Sequence, residues 1–143
     1  QEDSQALIFT SDPYTNLLYD RVKESLTGVK AVSNESGIAM ILVLIPQPYQ
    51  EDPELQNTFI KNYFPTGTEI DMERPQKEFK KWAEKQGVFV IDLLPALGSS
   101  GGAALHYIDT PHFTLKGHAV AGRIIAEELM KHFSRVFVSG SVQ

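Results

Sequence analysis

The sequence of 143 residues is 42% hydrophobic and 22% charged, which fits one globular domain over residues 1–143 and leaves no room for a second. Its 13 basic and 18 acidic residues give a net charge of −5 without a basic block, so a nucleic-acid partner is disfavoured. The longest apolar run, residues 38–45, is shorter than the about 20 residues that span a bilayer, so we expect a soluble chain. The absence of cysteine excludes disulfides and thiol nucleophiles and leaves the compartment open, an extracytoplasmic one included.

The first part of the chain predicts a strand, a long helix and a second strand. Residues 6–10 form a short apolar segment, and Asp12 followed by Pro13 is typical of a helix start. The apolar residues that follow recur at three- and four-residue steps, the period of a helix with one buried face: Leu18, Val22, Leu26 and Val29. Residues 38–45 are apolar without alternation, which is typical of a strand covered on both faces.

The middle of the chain predicts two helices and another strand. Asp52 with Pro53 indicates the start of a short helix, and Pro75 opens a second one that ends before Gly87. Residues 88–91 are a second apolar run and predict a buried strand, which Asp92 follows at its carboxyl end.

The last part of the chain predicts a loop and a long final helix. Residues 93–104 contain three glycines and favour a loop, while Thr114 is the expected cap of the helix after it. Residues 136–138 are β-branched and aromatic and predict an edge strand.

The order of these elements predicts the fold class. Helices that alternate with buried strands favour a parallel sheet between two helical layers, so we expect an α/β fold of three layers, α/β/α, with a mostly parallel sheet. Two central strands are few for a sheet, and we expect either residues 6–10 and 136–138 or a missing partner to complete it. An edge of strand 38–45 that stays bare predicts a homo-oligomer, because unpaired apolar edges pair with one another.

One loop holds a candidate pair of catalytic residues. Asp109 precedes His112 by three residues, and Pro111 stiffens the segment between them. A carboxylate against one imidazole nitrogen fixes the tautomer and stabilises the imidazolium, which is what the general base for a serine nucleophile requires. The alternative is that Asp109 forms an Asx turn with nearby amides and that His112 is a polar loop residue.

The segment around this pair resembles the last conserved block of the SGNH (GDSL-type) esterases and acylhydrolases. The residues that carry the resemblance are Asp109-x-x-His112, then residues 114–118 and the helix start at 119–122. A weaker pattern covers roughly residues 14–131, including both apolar strands and their prolines. The resemblance implies a flavodoxin-like fold and a serine esterase without cofactor, in which Asp109 is the triad carboxylate and His112 the general base.

The other motifs of that family are absent from the sequence. There is no Gly-Asp-Ser nucleophile motif and no Gly-x-Asn-Asp block, and Ser11 is the nearest imitation but lacks the glycine. The start at Gln1 rather than Met indicates a processed chain or an excised piece. The chain thus resembles the C-terminal half of an SGNH domain that lacks its N-terminal strands, and we expect it to be inactive alone.

Three interpretations of function follow. The parent protein is expected to be an ester hydrolase or acyltransferase that acts on a small-molecule or carbohydrate ester through an acyl-enzyme. The alternative is a non-catalytic α/β module for binding or assembly. A third interpretation is a metal site built from the acid and imidazole side chains of the loop region: Asp109, His112, His118 and His106.

Overall fold

A computed structural model describes residues 9–107 and 110–139, and the side chains of residues 135–139 stay outside the description. The structure is mostly helical, with 67% of it in helices. The elements in chain order are α1 (Pro13–Glu35), β1 (Ile41–Leu44), α2 (Pro48–Glu51), α3 (Pro53–Tyr63), α4 (Arg74–Gln86), β2 (Phe89–Asp92), α5 (Leu94–Ser100), a 3₁₀ helix (Gly102–Leu105) and α6 (Leu115–Ser139).

The expected three-layer α/β/α sheet with several strands is wrong. Among the described residues, the sheet contains only β1 and β2, which pair in parallel from Ile41 opposite Phe89 to Leu44 opposite Asp92. Both predicted central strands are therefore present, each only four residues long. With so few strand residues, the packing of helices decides the architecture.

The two segments expected to extend the sheet do not do so where they are described. Residues 136–138 continue α6, because neither glycine nor proline interrupts the sequence from residue 123 to residue 139 and the helix has no reason to stop. Phe9 and Thr10 are not in a strand, and the remainder of the predicted strand at residues 6–10 lies outside the described residues. Self-association through the sheet edge stays a prediction.

Helices cover both faces of the small sheet. On one face, Ile91 joins a buried cluster that contains Leu97 and Leu105 and to which α6 contributes Ala121 and Ile124. On the other face, the buried residues are Trp82 and Ala83 of α4 and the neighbouring Val88. The alternation of side chains along β1 and β2 divides them between these clusters.

Local signals at the helix ends are confirmed. Asp12 caps α1 by accepting hydrogen bonds from the amides of Tyr14 and Thr15 at 2.9 and 3.1 Å. Asp52 caps α3 in the same way. Gly87 ends α4 in the left-handed conformation, with φ of 62°. These caps fix where the helices begin and end.

Residues 93–104 are not the expected loop but contain α5 and the 3₁₀ helix. Burial explains the difference, because Leu93, Leu97 and Leu105 are all fully inaccessible and anchor this segment in the core. The Leu93 amide donates to the Leu44 carbonyl at 3.0 Å and continues the pairing of the strands. Hydrophobic burial thus overrides the glycine content of the segment.

No helix in the described portion of the chain has the length and hydropathy required to cross a membrane.

Candidate functional site

The segment with the Asp-x-x-His spacing forms a loop between the 3₁₀ helix and α6. An isolated antiparallel bridge between His106 and Phe113 closes its two ends. Inside the bridge, the Tyr107 amide donates to the His112 carbonyl at 2.9 Å. Outside it, the Thr114 amide donates to the Leu105 carbonyl at 2.8 Å. We call the described residues of this segment, 106–107 and 110–113, the histidine loop.

Thr114 joins this loop to the final helix. Its hydroxyl accepts a hydrogen bond from the Gly117 amide at 3.1 Å and donates one to the Leu105 carbonyl at 3.0 Å. The predicted cap of the last helix is therefore confirmed. The same hydroxyl connects the first turn of α6 to the last residue of the 3₁₀ helix.

His112 lies on the surface of the histidine loop. The residue is exposed, and its amide donates to the Thr110 hydroxyl at 3.2 Å. An exposed ring is accessible to a reacting group, as a general base has to be. Asp109 lies outside the described residues, so its contact with His112 stays a prediction.

A groove of about 660 Å³ runs beside the histidine loop. Tyr107, Thr110 and Pro111 form one wall of it, and His112, which follows Pro111, is not among the described lining residues. The opposite wall comes from the region between β1 and the end of α3 and is lined mainly by polar and aromatic side chains: Gln47, Tyr49, Phe59, Asn62 and Tyr63. None of the described lining residues is Asp, Glu, Lys or Arg.

The aromatic wall of the groove is built from rings in mutual contact. The rings of Tyr49 and Phe59 stack at 3.9 Å with an angle of 5° between their planes, and Phe9 packs edge-on against both. Burial raises the pKa of the Tyr49 phenol to about 12, so the phenol stays protonated at neutral pH. This wall therefore offers flat apolar surface and a neutral hydroxyl group.

A buried pair behind the histidine loop was not expected from the sequence. Glu51, the last residue of α2, contacts the Nε2 atom of His106 through Oε1 at 3.1 Å. Both side chains are almost fully inaccessible, 0% exposed for Glu51 and 1% for His106. The two residues are 55 positions apart, so no spacing pattern could have linked them.

The structure also places three other residues that the sequence brought into consideration. His118 is exposed and its ring packs edge-on against Phe113 at 5.7 Å. Asp92 forms an ion pair with Lys80 and accepts the Leu94 amide at 3.0 Å, which is the role of a turn residue. Ser11 is exposed directly before the cap of α1.

The described residues contain no group of three His, Asp or Glu side chains that could hold a metal ion. No protein-family model, curated protein or solved structure matches the chain. Its function is therefore inferred from the histidine loop and the groove beside it.

Proposed function

We propose that this chain supplies the general base of an SGNH-type ester hydrolase or acyltransferase, with His112 as the base and Asp109 as the carboxylate that orients it. The observation that supports the proposal is the exposed His112 ring on a closed loop whose neighbouring residues, Thr110 and Pro111, line an open groove. A general base needs both access to the reacting proton and a fixed backbone, and the backbone bonds of the loop supply the second.

The reaction would run through two acyl transfers. His112 takes the proton of a serine hydroxyl while the serine oxygen attacks the ester carbonyl carbon, and it then returns that proton to the leaving alcohol. A water or an acceptor hydroxyl next gives its proton to His112 and attacks the acyl carbon, and His112 passes that proton to the serine oxygen as the acyl–serine bond breaks, which releases the acid or a new ester.

The serine and the oxyanion donors are assigned to a segment other than residues 1–143, because the sequence has no Gly-Asp-Ser or Gly-x-Asn-Asp motif. Residues 1–143 would then contribute the base, its carboxylate and one wall of the substrate site. Without the serine, the chain alone retains no acyl-enzyme chemistry.

The lining of the groove supports a neutral substrate. Its described walls combine the aromatic rings of Tyr49 and Tyr63 with the amides of Gln47 and Asn62. Aromatic faces pack against flat apolar surfaces, and amides exchange hydrogen bonds with hydroxyl and carbonyl groups. We therefore propose an uncharged small-molecule or carbohydrate ester, since a charged group would lose water here without meeting an opposite charge.

The first experiment uses residues 1–143 alone. We expect no hydrolysis of p-nitrophenyl acetate above that of an equal concentration of the His112→Gln variant, and no covalent labelling by a fluorophosphonate probe. A labelled serine within residues 1–143 would contradict the assignment of the nucleophile to another segment.

The second experiment uses the polypeptide encoded by the complete natural reading frame. We expect fluorophosphonate labelling and ester hydrolysis, and we expect His112→Gln to lower kcat by roughly 10²- to 10⁴-fold, the usual contribution of a general base. The matched control is His132→Gln, another exposed histidine, which stacks on Phe89 away from the loop segment. Equal activity of the two variants would refute the role of His112, whereas a wild-type polypeptide with neither labelling nor hydrolysis would favour the non-catalytic binding module.

A further inference from the structure

The buried pair behind the histidine loop is bonded at both ring nitrogens of His106. The Nδ1 atom contacts the Pro111 carbonyl oxygen at 3.0 Å, and the Nε2 atom contacts Glu51 Oε1 at 3.1 Å. The three groups form a chain that leads from the end of α2 to the residue before His112. His106 thus links two positions within the histidine loop and also links the loop to α2.

The chemistry of the partners fixes the protons in this chain. A carbonyl oxygen only accepts, so Nδ1 of His106 carries a proton and donates it to Pro111. One further proton lies between Nε2 and Glu51 Oε1, either on the imidazole or on the carboxyl group. The pair is electrically neutral as a whole in both cases, which makes its burial tolerable.

This arrangement leaves His106 unable to act on a substrate. Both ring nitrogens are already bonded, and the side chain is 1% exposed although part of the residue borders the groove. Burial raises the pKa of Glu51, and the hydrogen bond from His106 opposes that rise. A proton shared between His106 and Glu51 is consistent with both effects on the pKa of Glu51. The pair is therefore suited to holding structure rather than to exchanging protons with solvent.

The residues around Glu51 and His106 are also in close contact with one another. The His106 ring contacts the Phe113 ring with centroids 4.6 Å apart, at the closing bridge of the histidine loop. A Cβ atom at Gly102 would come within 3.1 Å of the Glu51 carbonyl oxygen, so α2 and the 3₁₀ helix are in close contact. The pair therefore stands where three elements converge.

From this geometry we infer that Glu51 and His106 are positioning residues, which hold the histidine loop through the Pro111 carbonyl and thereby fix the backbone that carries His112. The catalytic part of this inference rests on the proposed function, whereas the part that concerns the loop does not. Loss of either partner would leave the other polar side chain buried alone, and the loop would be the first segment to open.

The first test measures the loop directly in residues 1–143. Amide hydrogen exchange at Tyr107 and Thr114 reports the two backbone bonds of the loop, and exchange at Leu93 reports the sheet. We expect Glu51→Ala to lower protection at Tyr107 and Thr114 by about 10-fold or more while Leu93 is unchanged, as for a local opening. Glu51→Gln should restore protection, because its amide can donate to Nε2 of a neutral His106. Unchanged protection in Glu51→Ala would overturn the inference.

A second measurement needs no variant, in case Glu51→Ala fails to fold. Nitrogen NMR of the His106 ring in the native chain is expected to show a proton on Nδ1 at every pH at which the chain is folded. An unprotonated Nδ1 would overturn the inference, because the bond to Pro111 would then not exist.

The third test separates this inference from the proposed function. In the polypeptide encoded by the complete natural reading frame, we expect Glu51→Ala to lower kcat by roughly 10- to 100-fold at nearly constant KM, and we expect Glu51→Gln to recover the activity. If the wild type is active and Glu51→Ala has the same kcat, the pair does not position His112, and the proposed hydrolase function still stands. An inactive wild type overturns the hydrolase and, with it, the catalytic part of this inference, while the exchange data still decide whether the pair holds the loop.

Discussion

Gly117 packs directly against the carbonyl oxygen of Leu105, and a methyl group at this position would overlap that oxygen and press on the Phe113 ring. The same oxygen accepts hydrogen bonds from the amide and the hydroxyl of Thr114. The first turn of α6 can therefore approach the 3₁₀ helix closely only because residue 117 has no side chain. Gly117 is part of the segment that resembles the SGNH block, and here its role is close packing.

Replacing Gly117 by alanine should destabilise the protein. We expect Gly117→Ala to lower the free energy of unfolding by about 1–3 kcal/mol, the usual cost of overpacking, because the obstacle is backbone. The control is Gly122→Ala in the same helix, where a methyl group meets nothing and should stabilise by about 0.5–1 kcal/mol. Urea unfolding measures both, and equal stabilities of the two variants would show that α6 and the 3₁₀ helix are further apart.

A second pair of glycines should also respond in opposite directions. Gly87 ends α4 with φ of +62° and open space around it, so Gly87→Ala is expected to cost about 1–2 kcal/mol from backbone conformation alone. Gly28 lies inside α1 with open space as well, and Gly28→Ala should add about 0.5–1 kcal/mol of stability. Thermal unfolding of the two variants gives the signs. A gain in stability for Gly87→Ala would mean that α4 does not end in the left-handed conformation.

The features that the sequence predicted correctly depend on neighbouring residues. Asp12 and Asp52 each cap a helix by bonding amides two and three residues ahead, so a short window of sequence contains the whole interaction. Gly87 similarly marks the end of α4 through its own conformation. Such local signals do not depend on how the chain folds elsewhere.

The features that the sequence did not predict depend on distant residues. The number of strands in the sheet depends on which segments find partners, and an apolar segment such as 136–138 suits a buried helix as well as a strand. The segment 93–104, which the sequence predicts as a loop, is helical because Leu97 and Leu105 are completely buried in the core. The contact between Glu51 and His106 likewise requires the folded arrangement of α2 and the histidine loop.

The cap of α1 should make the stability of the chain depend on pH in the acid range. The hydrogen bond from the Thr15 hydroxyl, together with bonds from Thr10 and the first amides of α1, lowers the pKa of Asp12 from 3.8 to about 2. A carboxylate whose pKa is lower in the folded state stabilises the fold above its unfolded pKa, and this contribution disappears as the pH falls through the folded value.

We therefore expect Asp12→Asn to be less stable than the wild type by a constant amount above about pH 4, with a difference that shrinks between about pH 4 and pH 2. Urea unfolding at a series of pH values measures that difference. Asp20→Asn, on the exposed side of the same helix, changes the net charge equally and serves as the control. A difference that grows as the pH falls would have the wrong sign for a carboxylate with a lowered pKa.

The contact proposed between Asp109 and His112 predicts the tautomer of an exposed imidazole. A carboxylate that accepts from Nδ1 keeps the proton of the neutral ring on that atom and leaves Nε2 free to act as the base. In nitrogen NMR of residues 1–143 under conditions in which the ring is neutral, we expect the Nδ1–H tautomer of His112 to predominate and Asp109→Ala to shift it towards Nε2–H. His118, which packs on Phe113, serves as a reference within the same spectrum and should not change. If the His112 signals are the same in both proteins, Asp109 does not orient the ring, and the assignment of these two residues as base and carboxylate fails.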